Sequence, residues 1–153
     1  MLVLEEIDNL FKESNALIEK IEVRLISGKN ISSEKFPTAS FVSSGFCVLL
    51  LHTKNGFVGV GEPSPYGGNL NNTTDAAIKI GKELKGAPLY KAWTLKSIDN
   101  KLFNNGYGDL AKQAVAAAIS QCCIDILGKE LSKSVFKVLD SKSTGIVDAY
   151  ASG

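Results

Sequence analysis

"GFCVLLLHTKNGFVGVGEPSP", residues 45–65, decides the fold. Two apolar runs rich in β-branched and aromatic residues flank Lys54-Asn55-Gly56. Asn-Gly is among the strongest short-range hairpin signals because both residues tolerate positive φ. The stretch therefore predicts two antiparallel strands. Just upstream, "IEVRLISG" has a period of two: Ile21, Val23 and Leu25 alternate with Glu22 and Arg24, and Gly28 marks the exit into a polar loop over residues 29–40. The three segments together predict an antiparallel meander whose first strand is half buried.

On either side of the meander the period becomes helical. Val3, Ile7, Leu10, Phe11 and Ile18 fall on one stripe, which predicts an amphipathic helix over residues 3–19 and requires a cover for it. After residue 70 three helical runs follow. Thr73 or Thr74 can cap the first, with Asp75 in its first turn and Gly86 at its end; "TLKSIDNKLFNNG" is the second. Asp109 can cap the third, whose buried stripe is Val115, Ala118, Ile119, Cys122 and Ile126 ahead of Gly128. A short amphipathic piece, "SVFKVL", closes the series, and "GIVDAYASG" alternates again like the start of another strand. Strands followed by helices predict an α+β domain.

With 153 residues, 44% of them hydrophobic and 22% charged, the chain can bury a sizeable core. Seventeen basic against sixteen acidic side chains, with no long run of one sign, argue against nucleic acid and anionic membrane as partners. Three cysteines, two of them adjacent, build neither a disulfide framework nor a zinc pattern, so buried, reduced thiols are expected. Glu5, Glu6 and Asp8 stand where a signal peptide needs cations, and no run reaches the roughly 20 apolar residues of a membrane span; a cytoplasmic chain with no membrane partner is expected.

No catalytic constellation emerges from these residues. Gly59-x-Gly61 follows a strand, but Pro63 and Pro65 stand where a dinucleotide fingerprint needs a third glycine opening a helix, so the glycines are read as shaping the strand end. His52 is the only histidine and is expected at a strand end, partly exposed. Glu62 has no titratable neighbour in sequence with which to do acid/base work. The adjacent Cys122 and Cys123 diverge by about 100° around a helix and are read as core packing.

The order of elements, with "IEVRLI", the opening stretch, "AAISQCCIDILGKELSKSVFKVL" and the terminal "VDAYASG", resembles the N-terminal portion of the enolase superfamily, in its mandelate racemase/muconate lactonizing branch. Gly59-x-Gly61-Glu62 matches the family's G-x-G-E pattern at the end of the meander, and Asp125, Gly128 and Lys129 match its D-x-x-G-K on a later helix. The resemblance covers residues 20–153 and implies a division into an added N-terminal helix (1–19), a capping domain (20–140), and a linker with the first strand of a (β/α)-barrel (141–153). Cys122-Cys123 departs from the pattern, since many relatives carry a small residue and a Trp there.

The resemblance also implies a function. Such capping domains close the mouth of a barrel in which a base and a carboxylate-bound Mg²⁺ generate an enediolate from a carboxylate substrate. Metal ligands and bases lie on barrel strands, so this chain is expected to hold no catalytic residue and no metal ligand. It is expected to be inactive without the barrel and to meet the substrate only with the barrel present. What carries over is substrate selection by two loops, residues 29–40 and 63–70. Lys29, Phe36, Pro37 and Thr38 in the first, and Ser64 and Tyr66 in the second, are the expected contacts. Self-association is expected as well, because a domain built to cap a barrel exposes an apolar face without it. The alternative is a stand-alone binding or assembly module on the same scaffold.

Overall fold

The computed structural model describes residues 2–27, 45–64, 70–95 and 109–146. Along the chain run α1 (Leu2–Glu13), β1 (Ile18–Ser27), β2 (Gly45–Thr53), β3 (Val58–Gly61), α2 (Leu70–Leu84), α3 (Leu89–Trp93), α4 (Asp109–Glu130) and α5 (Val135–Leu139). The sheet has the order β1-β2-β3, antiparallel throughout, as the alternation and the Asn55-Gly56 turn predict. Gly56 takes the turn with φ of 90°, a conformation that only glycine adopts without strain.

Helices cover one face of the sheet. Cys47, Leu49 and Leu51 are buried on that face of β2, and Leu49 and Leu51 share one core with Ala76, Ala77 and Ile80 of α2 and the stripe Val115, Ala118, Ile119, Cys122 and Ile126 of α4. All five stripe residues are fully buried, as their spacing predicts. The opposite face carries Glu22, Arg24, Phe46, Val60 and their neighbours, and it is at least partly open to solvent.

Several boundaries differ from the sequence reading. The first helix ends at Glu13 instead of residue 19. Ser14 breaks it: its hydroxyl accepts the Ala16 N–H at 3.2 Å and donates to Glu130 Oε2 at 2.6 Å. Ile18 sits at helical spacing from Phe11 but belongs to β1, held by backbone bonds from Ile18 N–H to Ala87 O and from Gly86 N–H to Ile18 O, each 2.8 Å. Tertiary pairing overrides a periodicity that extended one turn too far. Neither Thr73 nor Thr74 caps α2, which begins at Leu70; Thr73 is buried on its inner face and Thr74 Oγ1 donates back to Leu70 O at 2.9 Å. A threonine satisfied by the carbonyl four residues earlier does not mark a helix start. The short α3 was not foreseen, although Pro88 pre-sets its entry with φ of −67°. Most of "TLKSIDNKLFNNG" lies outside the described residues.

The cover for α1 is α3 together with the C-terminal part of α4 and α5. Ile7 and Phe11 are buried; Phe11 stacks on Trp93 at 4.5 Å between centroids, and Trp93 Nε1 donates to Asp8 Oδ1 at 2.6 Å. One expectation about length fails. Leu110–Glu130 is a 21-residue helix long and apolar enough to cross a membrane, with half of its most apolar stretch buried inside the fold. It is the central core helix here, which is why its apolar residues run further round than one stripe.

Candidate functional site

The two loops implicated in substrate selection spring from the end of β1 and the start of β2, and from the end of β3. Lys29, Phe36, Pro37, Thr38 and Tyr66 lie outside the described residues. Ser64 is described and exposed, directly after the buried Pro63. What the structure shows is therefore the root of the second loop and how it is held.

That root is a junction between β3 and α4. β3 is an edge strand, and in an antiparallel pair alternate residues turn their backbone groups away from the partner strand. Here those residues are Val58, Val60 and Glu62, and α4 meets each with a side chain. Lys129 Nζ donates to Val58 O at 2.6 Å, Val60 N–H donates to Asp125 Oδ2 at 3.0 Å, and Glu62 N–H donates to Gln121 Oε1 at 2.8 Å. Lys129 also donates to Asp125 Oδ2 at 2.7 Å. The match is geometric: four residues of helix advance about 6 Å and two residues of strand about 6.7 Å. Side chains at i, i+4 and i+8 thus reach successive outward groups of the strand.

The alternate glycines set the separation. A Cβ on Gly59 would stand 2.8 Å from the Cys122 carbonyl carbon and 2.9 Å from its Cα, and one on Gly61 would stand 2.9 Å from the Ala118 carbonyl carbon, each closer still to the oxygen. The glycines are absences that let helix and strand backbones touch. Their first reading, as shaping the strand end, gains a specific cause. Cys122 Sγ lies 3.5 Å from Leu49 O at the same junction, and burial pushes its thiol up to about 12. Burial raises Cys123 and Cys47 too, and all three cysteines are free and buried, so none is poised as a nucleophile.

Elsewhere on the sheet, Arg24 Nε donates to Glu22 Oε1 at 2.7 Å and holds that carboxyl below its ordinary range; His52 Nε2 stands 3.3 Å from Glu22 Oε2. His52 is partly exposed at the strand end, as expected. Among the described residues no three His, Cys, Asp or Glu side chains gather as a metal-binding group. Gln121 went unnoticed in the sequence; the signal available was a polar side chain four residues before Asp125 on an otherwise apolar helix.

Solved structures share the fold. An enolase from Bradyrhizobium, crystallised with magnesium and mandelic acid, superposes on 83% of this chain with a TM-score of 0.63 at 21% identity, using 35% of its own length. This chain has the fold of a part of that enzyme. A mandelate racemase/muconate lactonizing protein from Paracoccus denitrificans matches 82% of the chain with 30% of its own, at a TM-score of 0.58 and 23% identity. A dipeptide epimerase from Enterococcus faecalis, complexed with Mg and the dipeptide L-Leu-L-Tyr, matches 75% with 32% of its own, at 0.55 and 20%. The chain thus spans about a third of the length of the enzymes it matches. No family model and no curated protein matches it.

Proposed function

We propose that this chain is the capping, substrate-selecting portion of an enzyme of the mandelate racemase/muconate lactonizing type, one that removes the α-proton of a carboxylate substrate in racemisation, dehydration or cycloisomerisation. The observation that carries this reading is the superposition of four-fifths of the chain on a third of an enzyme crystallised with magnesium and mandelic acid. The β3–α4 junction supports it, because it fixes the root of the loop that would lie over the substrate.

On this reading the chain's own residues bind, orient and exclude water. Phe36, Pro37 and Tyr66 would form an apolar wall against the variable end of the substrate, and Lys29, Thr38 and Ser64 would supply polar contacts. Bound in the barrel, Mg²⁺ supplies electrostatic stabilisation of the anion left when the α-proton departs. Its carboxylate ligands and the proton-transferring base would belong to the barrel strands. The setting is the cytoplasm.

Two measurements test the reading. Proton exchange at the α-carbon of α-hydroxy-carboxylates and acid sugars, followed by NMR in D₂O with Mg²⁺, is expected to be undetectable with the 153-residue chain alone. The coding sequence after Gly153 is expected to present Lys-x-Lys and then three acidic ligands on successive barrel strands. Turnover by the chain alone, or a coding sequence that stops without a barrel, would overturn the reading in favour of a self-sufficient module.

A further inference from the structure

Among the described residues the sheet edges are covered, except for one. The outer edge of β3 is sealed by Gln121, Asp125 and Lys129. The outer edge at the start of β1 is sealed by backbone bonds between Ala16 and Ile18 on one side and Gly86 to Leu89 on the other. From Glu19 to Ser27, no strand or loop among the described residues pairs with β1 on that side.

The register fixes what this open edge presents. Because Val58 O and Val60 N–H face α4, Gly59 and Gly61 bond to β2. The alternate residues of β2 then turn to β1, where Val48, Leu50 and His52 face Arg24, Glu22 and Lys20. The backbone groups of Ile21, Val23 and Leu25 therefore point outward. On the outer face Lys20, Glu22 and Arg24 alternate in sign, and at the far end Leu25 and Ile26 are 58% and 42% exposed although apolar. α2 approaches this strand through Gly81, over Ile21, and leaves Leu25 uncovered.

We propose that a second copy of this chain docks antiparallel on the β1 edge, Val23 against Val23 across a two-fold axis, so that the two sheets become one. The open stretch from 19 to 27 is centred on residue 23, so this axis uses all of it. In this register Glu22 stands opposite the partner's Arg24 and Arg24 opposite the partner's Glu22, at positions not hydrogen-bonded to each other, where side chains come closest. Leu25 meets the partner's Ile21 on the helical face. Sliding by two residues in one direction sets glutamate against glutamate and lysine against arginine; the other direction sets arginine against arginine. An edge guarded against pairing carries charge of one sign, a proline or a bulge along its length. This one has its bulge only between Ile18 and Lys20, and the alternating charges are self-complementary. The docking depends on no feature of the capping reading and can fail without it.

Sedimentation velocity on the full chain over a concentration series tests it. The wild type is expected to show a reversible monomer–dimer equilibrium. Glu22→Arg or Arg24→Glu, each placing like charges opposite twice, is expected to weaken the dimer by about tenfold to a hundredfold. The double exchange, Glu22→Arg with Arg24→Glu, is expected to restore it, and Lys142→Glu, at an exposed site beyond α5, to leave it unchanged. Far-ultraviolet circular dichroism checks that each variant is folded. A wild type monomeric at every concentration, a dimer indifferent to the single exchanges, or a double exchange that fails to restore association would overturn the proposal.

Discussion

Replacing Gly59 or Gly61 by alanine tests the β3–α4 junction directly. In a strand interior Gly→Ala ordinarily stabilises, because alanine loses less conformational entropy on folding and favours the strand by roughly 0.5–1 kcal/mol. Here the sign is expected to reverse. The new Cβ at Gly59 would stand 2.8 Å from the Cys122 carbonyl carbon, where ordinary contact begins at 3.4 Å, so α4 and β3 must part by at least 0.6 Å. Both sides are backbone, and neither can turn away as a side chain would. That parting stretches the 3.0 Å bond from Val60 N–H to Asp125 beyond hydrogen-bonding distance and strains the 2.8 Å bond from Glu62 N–H to Gln121. Overpacking costs about 1–3 kcal/mol, and losing one charge-assisted and one neutral bond adds about 2 kcal/mol at this partly solvated edge. A total of about 3–5 kcal/mol is a large fraction of the ~5–15 kcal/mol that holds a domain of this kind together. Urea unfolding followed by circular dichroism measures it. Gly81→Ala serves as the comparison: its Cβ would meet the Ile21 Cβ at 2.9 Å, which β1 carries rigidly, so it overpacks without breaking a strand-edge bond and is expected to cost about 1–3 kcal/mol. If Gly59→Ala and Gly61→Ala stay within about 0.5 kcal/mol of wild type, the ordinary surface range, the close-approach reasoning fails.

Asp125→Ala leaves the Val60 N–H without a protein acceptor and Lys129 without its carboxylate. The expected cost is about 1–2 kcal/mol in urea, with faster aggregation on agitation as the β3 edge opens; unchanged stability and aggregation would contradict the role given to this residue. Phe11→Ala empties a fully buried site against Trp93, the sole tryptophan, and is expected to cost about 3–5 kcal/mol and to red-shift Trp93 emission as water enters. A variant that keeps both wild-type stability and wild-type emission would mean that α1 does not cover α3. The Cys122 thiol, ordinarily 9.0, is pushed up to about 12, so above pH 9.0 the unfolded chain gives up this proton before the folded one. Its contribution is fully present below pH 9.0 and is lost between there and about 12, at about 1.4 kcal/mol per pH unit. Stability measured against pH should fall less steeply in Cys122→Ala than in the wild type; identical slopes would refute the assignment.

The meander and the α4 stripe were legible because each rests on local chemistry that nothing overrides: Asn55-Gly56 can make few turns but the tight one, and Val115 to Ile126 repeat at helical spacing on a helix whose other contacts agree. Where the sequence misled, a long-range partner had intervened. Ile18 looks helical until the Gly86–Leu89 segment offers it strand bonds, and Thr73 looks like a cap until α2 starts earlier and buries it. The junction was half legible. Gly59, Gly61, Glu62, Asp125 and Lys129 were all singled out, but as two separate patterns sixty residues apart, because sequence spacing carries no record of which strand edge a helix covers. Of the residues expected to touch substrate, only Ser64 is placed, and it stands at the root of its loop.

Joined in space, those two patterns form one device. Glycine at alternate strand positions brings the backbones into contact, and only at that separation can side chains as short as Asp125 and Gln121 reach the strand edge. Lys129, which bonds both Val58 O and Asp125, neutralises the Asp125 carboxylate at that partly solvated edge. The last bond of the series, Gln121 to the Glu62 N–H, falls where the strand ends and the loop begins, two residues before Ser64. If the loop selects substrate as proposed, it needs a fixed root, since misplacement of a contact by about 1 Å weakens selection as surely as its loss. The glutamate of G-x-G-E is held through its backbone: its N–H is the anchor, and its side chain is exposed where the strand ends.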